Sequence, residues 1–354
     1  MGLTWPEVLT RLSRRESLSA SEAEETLKIV VSGEATPAQV GAFLALLHAK
    51  GETAEEVTGL ARAMVDAAVP CPLADEDAAA AVDLVGTGGD RLSSINVTTL
   101  AAFITAGSGV PVCKHGNRAA SSSVGTADVL EALGVAIELG PEGVARCVTA
   151  AGMGFCFAQR FHPAMRFIGP VRKELGVPTV FNFLGPLINP ARTRRQLVGV
   201  SDPAMAPIMA GVFGATGSRH ALIVHADDGL DELSVTAPSQ VLEVRGDGNG
   251  AFELSEWRVD PQALGFAPAT MADLRGGDAA FNAGVIRSVL EGERGARRDI
   301  GILNAAAALV VAGRVEDVES GLALATESID SGKAVDVLDA LIATSRDELR
   351  RQPG

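Results

Sequence analysis

A glycine-rich turn after a short apolar run is the first feature of this chain that could do chemistry. The run at 82–86 leads into Gly-Thr-Gly-Gly-Asp at 86–90, and a helix is predicted to begin after Asn96. This order is typical of phosphate sites, because glycine lets the backbone approach an anion and N–H groups at a helix N-terminus point at it. The turn lacks the P-loop and dinucleotide fingerprints. A turn that needs glycine only for its dihedral angles is therefore the competing interpretation.

Asp90 favours the ligand-binding interpretation. A carboxylate beside a phosphate cradle would repel phosphate unless it accepts hydrogen bonds from ribose hydroxyls or faces Mg²⁺. The turn therefore favours an anionic ligand that brings either ribose hydroxyls or Mg²⁺ to Asp90.

A second polar stretch follows another apolar run. The strand predicted at 110–114 ends in Lys-His-Gly-Asn-Arg at 114–118, and a run of serines, 121–123, precedes a helix that begins near Thr126. Functional sites of open α/β sheets lie at the carboxyl ends of strands. Lys114 offers a point charge for phosphate and the hydroxyls offer donors. The alternative is a solvated basic turn.

An acidic stretch at 225–232 follows the strand predicted at 219–225, and it ends in Asp231 and Glu232. Adjacent carboxylates repel each other unless they are solvated or bridged by a cation. Mg²⁺ joined to a substrate phosphate fits such a pair. A solvated acidic turn remains the other interpretation.

Arg172 lies on a helix predicted at 163–175, ahead of the apolar segment 181–190. A guanidinium in a partly apolar cleft can clamp a planar carboxylate. The alternative is an ion pair with a nearby acid on the helix surface. His162, which precedes a proline, is interpreted as structural.

Alternating elements must position these residues. Residues 1–70 predict four helices, since three Ser/Thr-x-x-Glu boxes begin at Thr4, Ser19 and Thr53, and Thr36-Pro37 begins the fourth. Their apolar faces exceed what so small a segment can easily bury, which predicts contact with a partner subunit.

Further along the chain, strands and helices are predicted to alternate. The strands are predicted at 82–86, 110–114, 135–138, 154–158, 196–200 and 219–225, and the helices at 98–108, 126–134, 141–151, 163–175 and 203–215. This alternation predicts a parallel sheet covered by helices. Residues 240–258 are candidates for further strands, and 277–347 is predicted to be helical.

Composition narrows the function classes. The chain has 354 residues and a formal net charge of −14, which argues against a non-specific nucleic-acid binder. Its four cysteines have no paired metal spacing, so we expect reduced core residues of a cytoplasmic protein. Because there is no basic-then-apolar signal segment and no apolar stretch long enough to span a bilayer, we expect no membrane association.

Taken together, these stretches resemble the anthranilate phosphoribosyltransferase family. The resemblance rests on Gly-Thr-Gly-Gly-Asp at 86–90, Lys-His-Gly-Asn-Arg at 114–118 and Asn-x-Leu-Gly-Pro-Leu-x-Asn-Pro at 182–190. It implies an α/β fold, with a small all-helical domain and a larger α/β domain built on a central, mainly parallel sheet. Residues 1–72 would form the helical domain, joined by a mid-chain segment near 170–196. Residues 73–169 and 197–354 would form the α/β domain, and two copies would form a homodimer through the N-terminal helices.

The resemblance also implies residue roles. The 5-phosphoribosyl 1-diphosphate site would comprise Gly86, Thr87, Gly88, Gly89, Asp90, Asn96, Thr98, Thr99, Lys114 and Thr126. The anthranilate site would comprise His115, Asn117, Arg172 and Pro186, the metal ligands would be Thr98, Asp231 and Glu232, and Lys114, Asp90 and Arg172 would be the catalytic residues. Thr98 and Thr126 replace serines common in the family, and Arg91 replaces a glycine, which raises a question about the flexibility of that loop.

The implied reaction transfers the 5-phosphoribosyl group to the amine of anthranilate in tryptophan biosynthesis and releases diphosphate, with Mg²⁺ as cofactor. An aromatic amine is nucleophilic while neutral, so we assign no general base. Catalysis would come from alignment of two bound substrates and stabilisation of the departing diphosphate. Two alternatives stay open: a pyrimidine nucleoside phosphorylase of the same architecture, and a non-catalytic sugar-phosphate sensor.

Overall fold

A computed structural model describes residues 3–119 and 124–352 of the chain. The N-terminal region consists of four helices: α1 (Trp5–Ser13), α2 (Ala20–Val31), α3 (Pro37–Lys50) and α4 (Ala54–Asp66). The predicted capping boxes are formed, as in α4, where the Thr53 N–H donates to Glu56 at 2.9 Å. Gln39 completes a fourth box with Thr36, where the sequence predicts only a proline start. Local capping chemistry thus sets where these helices begin.

Strands and helices alternate in the remainder. The strands are β1 (Asp83–Gly86), β2 (Val112–Gly116), β3 (Met153–Phe157), β4 (Arg195–Gly199), β5 (His220–Ala226), β6 (Ser239–Gly246) and β7 (Phe252–Val259). The helices are α5 (Asp75–Ala80), α6 (Val97–Gly107), α7 (Thr126–Ala132), α8 (Pro141–Ala151), α9 (Ala158–Phe161), α10 (Met165–Leu175), α11 (Met205–Ala215), α12 (Ala279–Leu290), α13 (Ala296–Val311), α14 (Val318–Asp330) and α15 (Lys333–Arg351).

The sheet is mainly parallel, as predicted. Five strands lie in the order β1-β4-β5-β6-β7, in which β1, β4 and β5 are parallel and β6 and β7 add an antiparallel hairpin. β2 and β3 form a separate parallel pair, and a single bridge between Val82 and Val112 joins that pair to β1. The carboxyl ends of β1 and β2 therefore lie at the same edge, which brings the glycine-rich turn close to Lys114.

The strand predicted at 135–138 is wrong. Val135 and Ile137 are buried in alternation, but the segment pairs with no strand among the described residues. Its Ala136 N–H instead donates to the Ser345 hydroxyl of α15 at 3.0 Å. The two-residue period therefore reflects an extended segment packed on a helix. Alternating burial shows only that one side of a segment faces the core, and it does not show that the segment pairs with another strand.

The apolar faces of the N-terminal helices are buried within the chain. They share one core with α10, with the segment 180–188 and with one face of the sheet under α11. The other face of the sheet belongs to a second core with α6 and the C-terminal helices. No large apolar side chain of residues 3–70 is strongly exposed, although Trp5, Leu9 and Leu46 remain partly exposed. Within the described ranges, no helix is both long and apolar enough to cross a bilayer.

Candidate active site

A cavity of about 410 Å³ opens at the carboxyl ends of β1 and β2. It is lined by most of the residues that the sequence singled out: Gly86, Thr87, Gly88, Gly89, Asp90, Asn96, Thr98, Lys114, His115, Asn117, Thr126, Asp231 and Glu232. Ser121, Ser122 and Ser123 lie outside the described residues. The fold thus gathers three separate polar stretches around one space.

The glycine-rich turn needs glycine for two different reasons. Gly88 and Gly89 have φ of 69° and 90°, in the left-handed region that favours glycine. At Gly86 a Cβ would collide with Asp231 Oδ2, so glycine is needed there for space. The Gly88 N–H donates to Asp231 at 2.7 Å, which fixes the acidic segment against the turn. Arg91 follows with φ of 60°, in the left-handed region that residues other than glycine rarely adopt.

Three carboxylates meet beside this turn. Asp90, Asp231 and Glu232 each offer an oxygen, and these oxygens all lie within 4.8 Å of one another. Burial and the nearby Asp90 charge raise the pKa of Asp231 to about 7, and burial also raises the pKa of Glu232. Glu232 Oε2 is buried with no hydrogen-bond partner among the described residues. An oxygen-only donor set of this kind, with mutual repulsion and an unused buried oxygen, fits Mg²⁺.

Asn304 holds the acidic segment in place. This residue is fully buried on α13, where it accepts from the Leu233 N–H at 3.0 Å and donates to the Leu233 carbonyl at 2.8 Å. Both bonds go to the residue after Glu232, so they fix the chain direction at the carboxylates. The sequence signal was an asparagine that interrupts the apolar stretch 302–313.

Lys114 is almost fully buried and points back into the sheet. Its ammonium donates to the Leu84 carbonyl and, at 3.2 Å, to the Thr98 hydroxyl. Burial lowers the pKa of Lys114 to about 8, although Asp83 and the acidic pair oppose this shift. Thr98 lines the cavity beside it, whereas Thr99 is fully buried in α6 and does not line the cavity. Lys114 therefore supplies a buried cation in the same cavity as the acidic pair.

A buried carboxylate that sequence reasoning missed links β1 to two other regions of the site. Asp83 accepts from the His115 N–H at 3.1 Å and from the Asn189 side chain at 2.8 Å. Asn189 also donates to the Cys113 carbonyl at 2.9 Å. Burial raises the pKa of Asp83 to about 6. The available signal was an aspartate that opens an otherwise apolar strand.

Two histidines lie side by side at the edge of the cavity. The ring centroids of His115 and His162 are 5.1 Å apart, and His115 Nδ1 lies 3.2 Å from the Gly185 carbonyl. Burial lowers the pKa of His115 to about 3 and that of His162 to about 4, so both rings are neutral at pH 7. The sequence indicates only a structural role for His162, but the structure places its ring next to a predicted site residue.

Arg172 and Pro186 do not line this cavity. The Arg172 guanidinium lies 5.5 Å from the centre of the Phe181 ring and donates to Asn182 at 3.2 Å. No carboxylate in the described ranges forms an ion pair with Arg172, which removes the surface-pair alternative. Pro186 lines a separate cavity of about 430 Å³ near α4 and α11. His115, through the Gly185 carbonyl, is the link from the main cavity to the segment that carries Pro186.

The sequence matches two family models over most of its length. The helical bundle domain of the glycosyl transferase family matches residues 6–68, and the a/b domain of that family matches residues 78–335. Fold and site thus define a glycosyltransferase with a helical bundle beside an α/β domain.

Relatives narrow this class further. Anthranilate phosphoribosyltransferases from Salinispora arenicola and Thermomicrobium roseum are 51% and 49% identical to this chain, and each alignment covers at least 94% of both sequences. The chain belongs to the anthranilate phosphoribosyltransferase family. The crystal structure of the Thermus thermophilus enzyme superposes with a TM-score of 0.88 at 39% identity, covering 96% of this chain and 99% of that one. The Saccharomyces cerevisiae enzyme in complex with PRPP and Mg gives 0.86 at 25% identity, covering 97% and 98%.

Proposed function

We propose that this chain transfers the 5-phosphoribosyl group of 5-phosphoribosyl 1-diphosphate to the amine of anthranilate, giving N-(5-phosphoribosyl)anthranilate and diphosphate in tryptophan biosynthesis. The observation that carries the proposal is the cavity in which a glycine-rich turn, a buried lysine and a carboxylate triad meet. The high identity to curated members of the family supports the same reaction.

The donor binds at the glycine-rich turn. The Thr87 N–H donates to the Gly199 carbonyl and the Gly88 N–H to Asp231, so the Gly89 N–H and the N-terminus of α6 offer the donors to phosphate oxygens. Asn96 and Thr98 line the same wall, and Asn96 accepts a hydrogen bond from Asn282 at 2.9 Å, which fixes its amide. Thr126 lies opposite, at the start of α7. Thr99 acts only by supporting α6.

Asp90, Asp231 and Glu232, with Thr98 beside them, are the residues that would hold Mg²⁺. The cation would supply charge neutralisation for the departing diphosphate. In its absence the acidic pair is poised to repel the donor, so donor and cation must enter together. Lys114 lines the same cavity as the carboxylates, and its ammonium would turn from the Leu84 carbonyl toward a bound phosphate.

Anthranilate binds on the side of His115. Neutral His115 and His162 offer flat walls for an aromatic ring, and Asn117 offers an amide at the cavity rim. Arg172 has no carboxylate partner among the described residues, so its guanidinium is available for the anthranilate carboxylate. Because Arg172 and Pro186 lie outside the cavity, closure of the segment 165–190 toward β2 would complete the acceptor site.

The residues then align the two substrates rather than exchange protons with them. The C1–N bond forms as the C1–O bond to diphosphate breaks, and the product nitrogen then loses one proton to the departing diphosphate or to solvent, so no side chain is assigned as base. The rate enhancement comes from orientation of the two substrates and electrostatic stabilisation of the departing diphosphate.

We also propose a cytoplasmic homodimer that forms through the N-terminal helices. A division into two domains belongs to the same proposal: residues 1–72 with the segment 170–196 form the helical domain, and residues 73–169 with 197–354 form the α/β domain. Support for the division comes from α10, whose Ile168 and Val171 share a core with α2 and α3. Support for the dimer comes from the partly exposed Trp5, Leu9 and Leu46 on α1 and α3.

The test is incubation of the purified protein with anthranilate, 5-phosphoribosyl 1-diphosphate and Mg²⁺, following the loss of anthranilate fluorescence. We expect turnover that stops when the metal is chelated or either substrate is omitted. A parallel reaction contains a pyrimidine nucleoside and phosphate. Turnover only in that reaction would establish a phosphorylase, and binding of the donor without turnover in either reaction would establish a sensor.

A further inference from the structure

Three cysteines far apart in sequence meet in the core behind the site. Cys71 belongs to the connection between α4 and α5, Cys113 to β2 and Cys156 to β3, and all three are buried and free. Their sulfur atoms lie within 4.8 Å of one another, with 3.7 Å between Cys113 and Cys156. The cluster is separate from the carboxylate triad, and the reaction does not use it.

The spacing of the three sulfurs matches what a metal ion requires. Metal–thiolate bonds are about 2.3 Å long, which places three sulfurs around a central ion about 4.0 Å apart. The 3.7 Å between Cys113 and Cys156 is close to this value and the other two separations do not exceed 4.8 Å, so small side-chain adjustments would complete a trigonal site. The neighbouring thiols of Cys113 and Cys156 lower the pKa of Cys71 to about 5, whereas burial raises the pKa of Cys156, and the pKa of Cys113 is raised as well, so Cys71 supplies the first thiolate and the ion must displace the other two thiol protons.

The donors also select the kind of ion. Sulfur ligands exclude Mg²⁺ and Ca²⁺, which prefer oxygen. Structural Zn²⁺ sites need four ligands, whereas the described residues supply only three metal-ligating side chains within this cluster. A soft monovalent cation that accepts three thiolates needs no further donor.

We propose that Cys71, Cys113 and Cys156 form a binding site for a single soft, thiophilic monovalent cation of the Cu(I) type. Binding replaces thiol protons with the metal and releases them to solvent. The bound ion joins the connection after α4 to β2 and β3. Since β2 continues directly into Lys114 and His115, the ion would stiffen the strand that supports both residues.

The test titrates reduced, oxygen-free protein with Cu(I) held by a competing chelator, in the presence of excess Mg²⁺. We expect one Cu(I) per chain, a near-ultraviolet thiolate-to-copper absorption band and a higher thermal midpoint. Cys71→Ser, Cys113→Ser and Cys156→Ser should each weaken Cu(I) binding at least tenfold. Cys147→Ser is the matched control, because Cys147 is equally buried but lies outside the cluster, and it should bind as the wild type does.

Two results would overturn the proposal. One is binding that Cys147→Ser and the three cluster variants affect equally, or no binding at all. The other is Zn²⁺, added alone, held as tightly as Cu(I) and lost in the same variants, since a three-coordinate site should not favour it. X-ray absorption of the Cu(I)-loaded wild type gives a test that needs no variant. Three sulfur neighbours support the site, and any nitrogen or oxygen neighbour refutes it.

Discussion

Replacing Asp231 and Glu232 by Asn and Gln should change stability and activity in opposite directions. Both side chains are nearly inaccessible to solvent, and with Asp90 they form a cluster of like charges. The substitutions keep the shapes and let an amide oxygen accept from Gly88, but they remove two charges. Burial and mutual repulsion both penalise the ionised carboxylates, so their removal should stabilise the metal-free protein, while loss of the metal ligands should remove most of the activity.

The magnitude follows from the pKa of Asp231, which rises from 3.8 to about 7 in the folded chain. Each unit corresponds to about 1.4 kcal/mol, so ionised Asp231 costs the fold about 4 kcal/mol. A raised carboxyl pKa means that this cost is absent below about pH 4, grows up to pH 7 and is constant above it. The hydrogen bond from the Gly88 N–H is weaker to an amide oxygen, and this loss offsets about 1 kcal/mol of the gain in stability. We expect a net stabilisation of about 3 kcal/mol or more at pH 8, because Glu232 adds to it.

The assay is urea unfolding at pH 5 and pH 8, with a chelator and with Mg²⁺, alongside steady-state kinetics. The variant should exceed the wild type in stability at pH 8 without metal, and by less at pH 5. Mg²⁺ with the donor should stabilise the wild type far more than the variant, and kcat should fall by about 100-fold or more. Asp227→Asn is the control, because this exposed carboxylate of the same segment pairs with Arg258 on the surface. A variant that is less stable at pH 8 without metal, or nearly as active as the wild type at low Mg²⁺, would refute the reasoning.

Three further predictions test other regions of the molecule. Arg172→Ala should raise the KM for anthranilate about 10- to 100-fold, the value of a charged hydrogen bond, and leave the KM for the donor nearly unchanged; equal effects on both would remove Arg172 from the acceptor site. Asp83→Asn should lower the unfolding free energy by about 1–3 kcal/mol and should also lower kcat. The reason is that the new amide NH₂ must face either the His115 N–H or the Asn189 side chain, both of which donate to Asp83. An unchanged denaturant midpoint would contradict this prediction. Sedimentation velocity at micromolar concentration should show a dimer, and paired Trp5→Glu and Leu46→Glu substitutions should give monomers; a dimer that survives both would place the interface elsewhere.

Local chemistry was sufficient to predict much of this chain. The four N-terminal helices begin where Ser19, Thr53 and similar caps place them, because a cap and its partner lie within one turn. Apolar runs that end in glycine, lysine or acidic residues indicated which strand ends carry chemistry. Parallel strands share an edge, so these ends had to come together, and the cavity unites them.

Only the tertiary structure decided which distant residues meet. The alternation at 135–138 imitates a strand, because burial against α15 gives the same two-residue period as a sheet. Arg172 was expected at the cavity, yet its position depends on how α10 packs, which no local pattern specifies. Asp83 and Asn189 meet across more than a hundred residues, and so do Leu233 and Asn304 over seventy-one. The three cysteines likewise lack any metal spacing in sequence, since their neighbourhood arises from the pairing of β2 with β3 and the path of the connection after α4. Sequence determines the elements and the chemistry that they carry, whereas long-range packing determines which of those groups become neighbours.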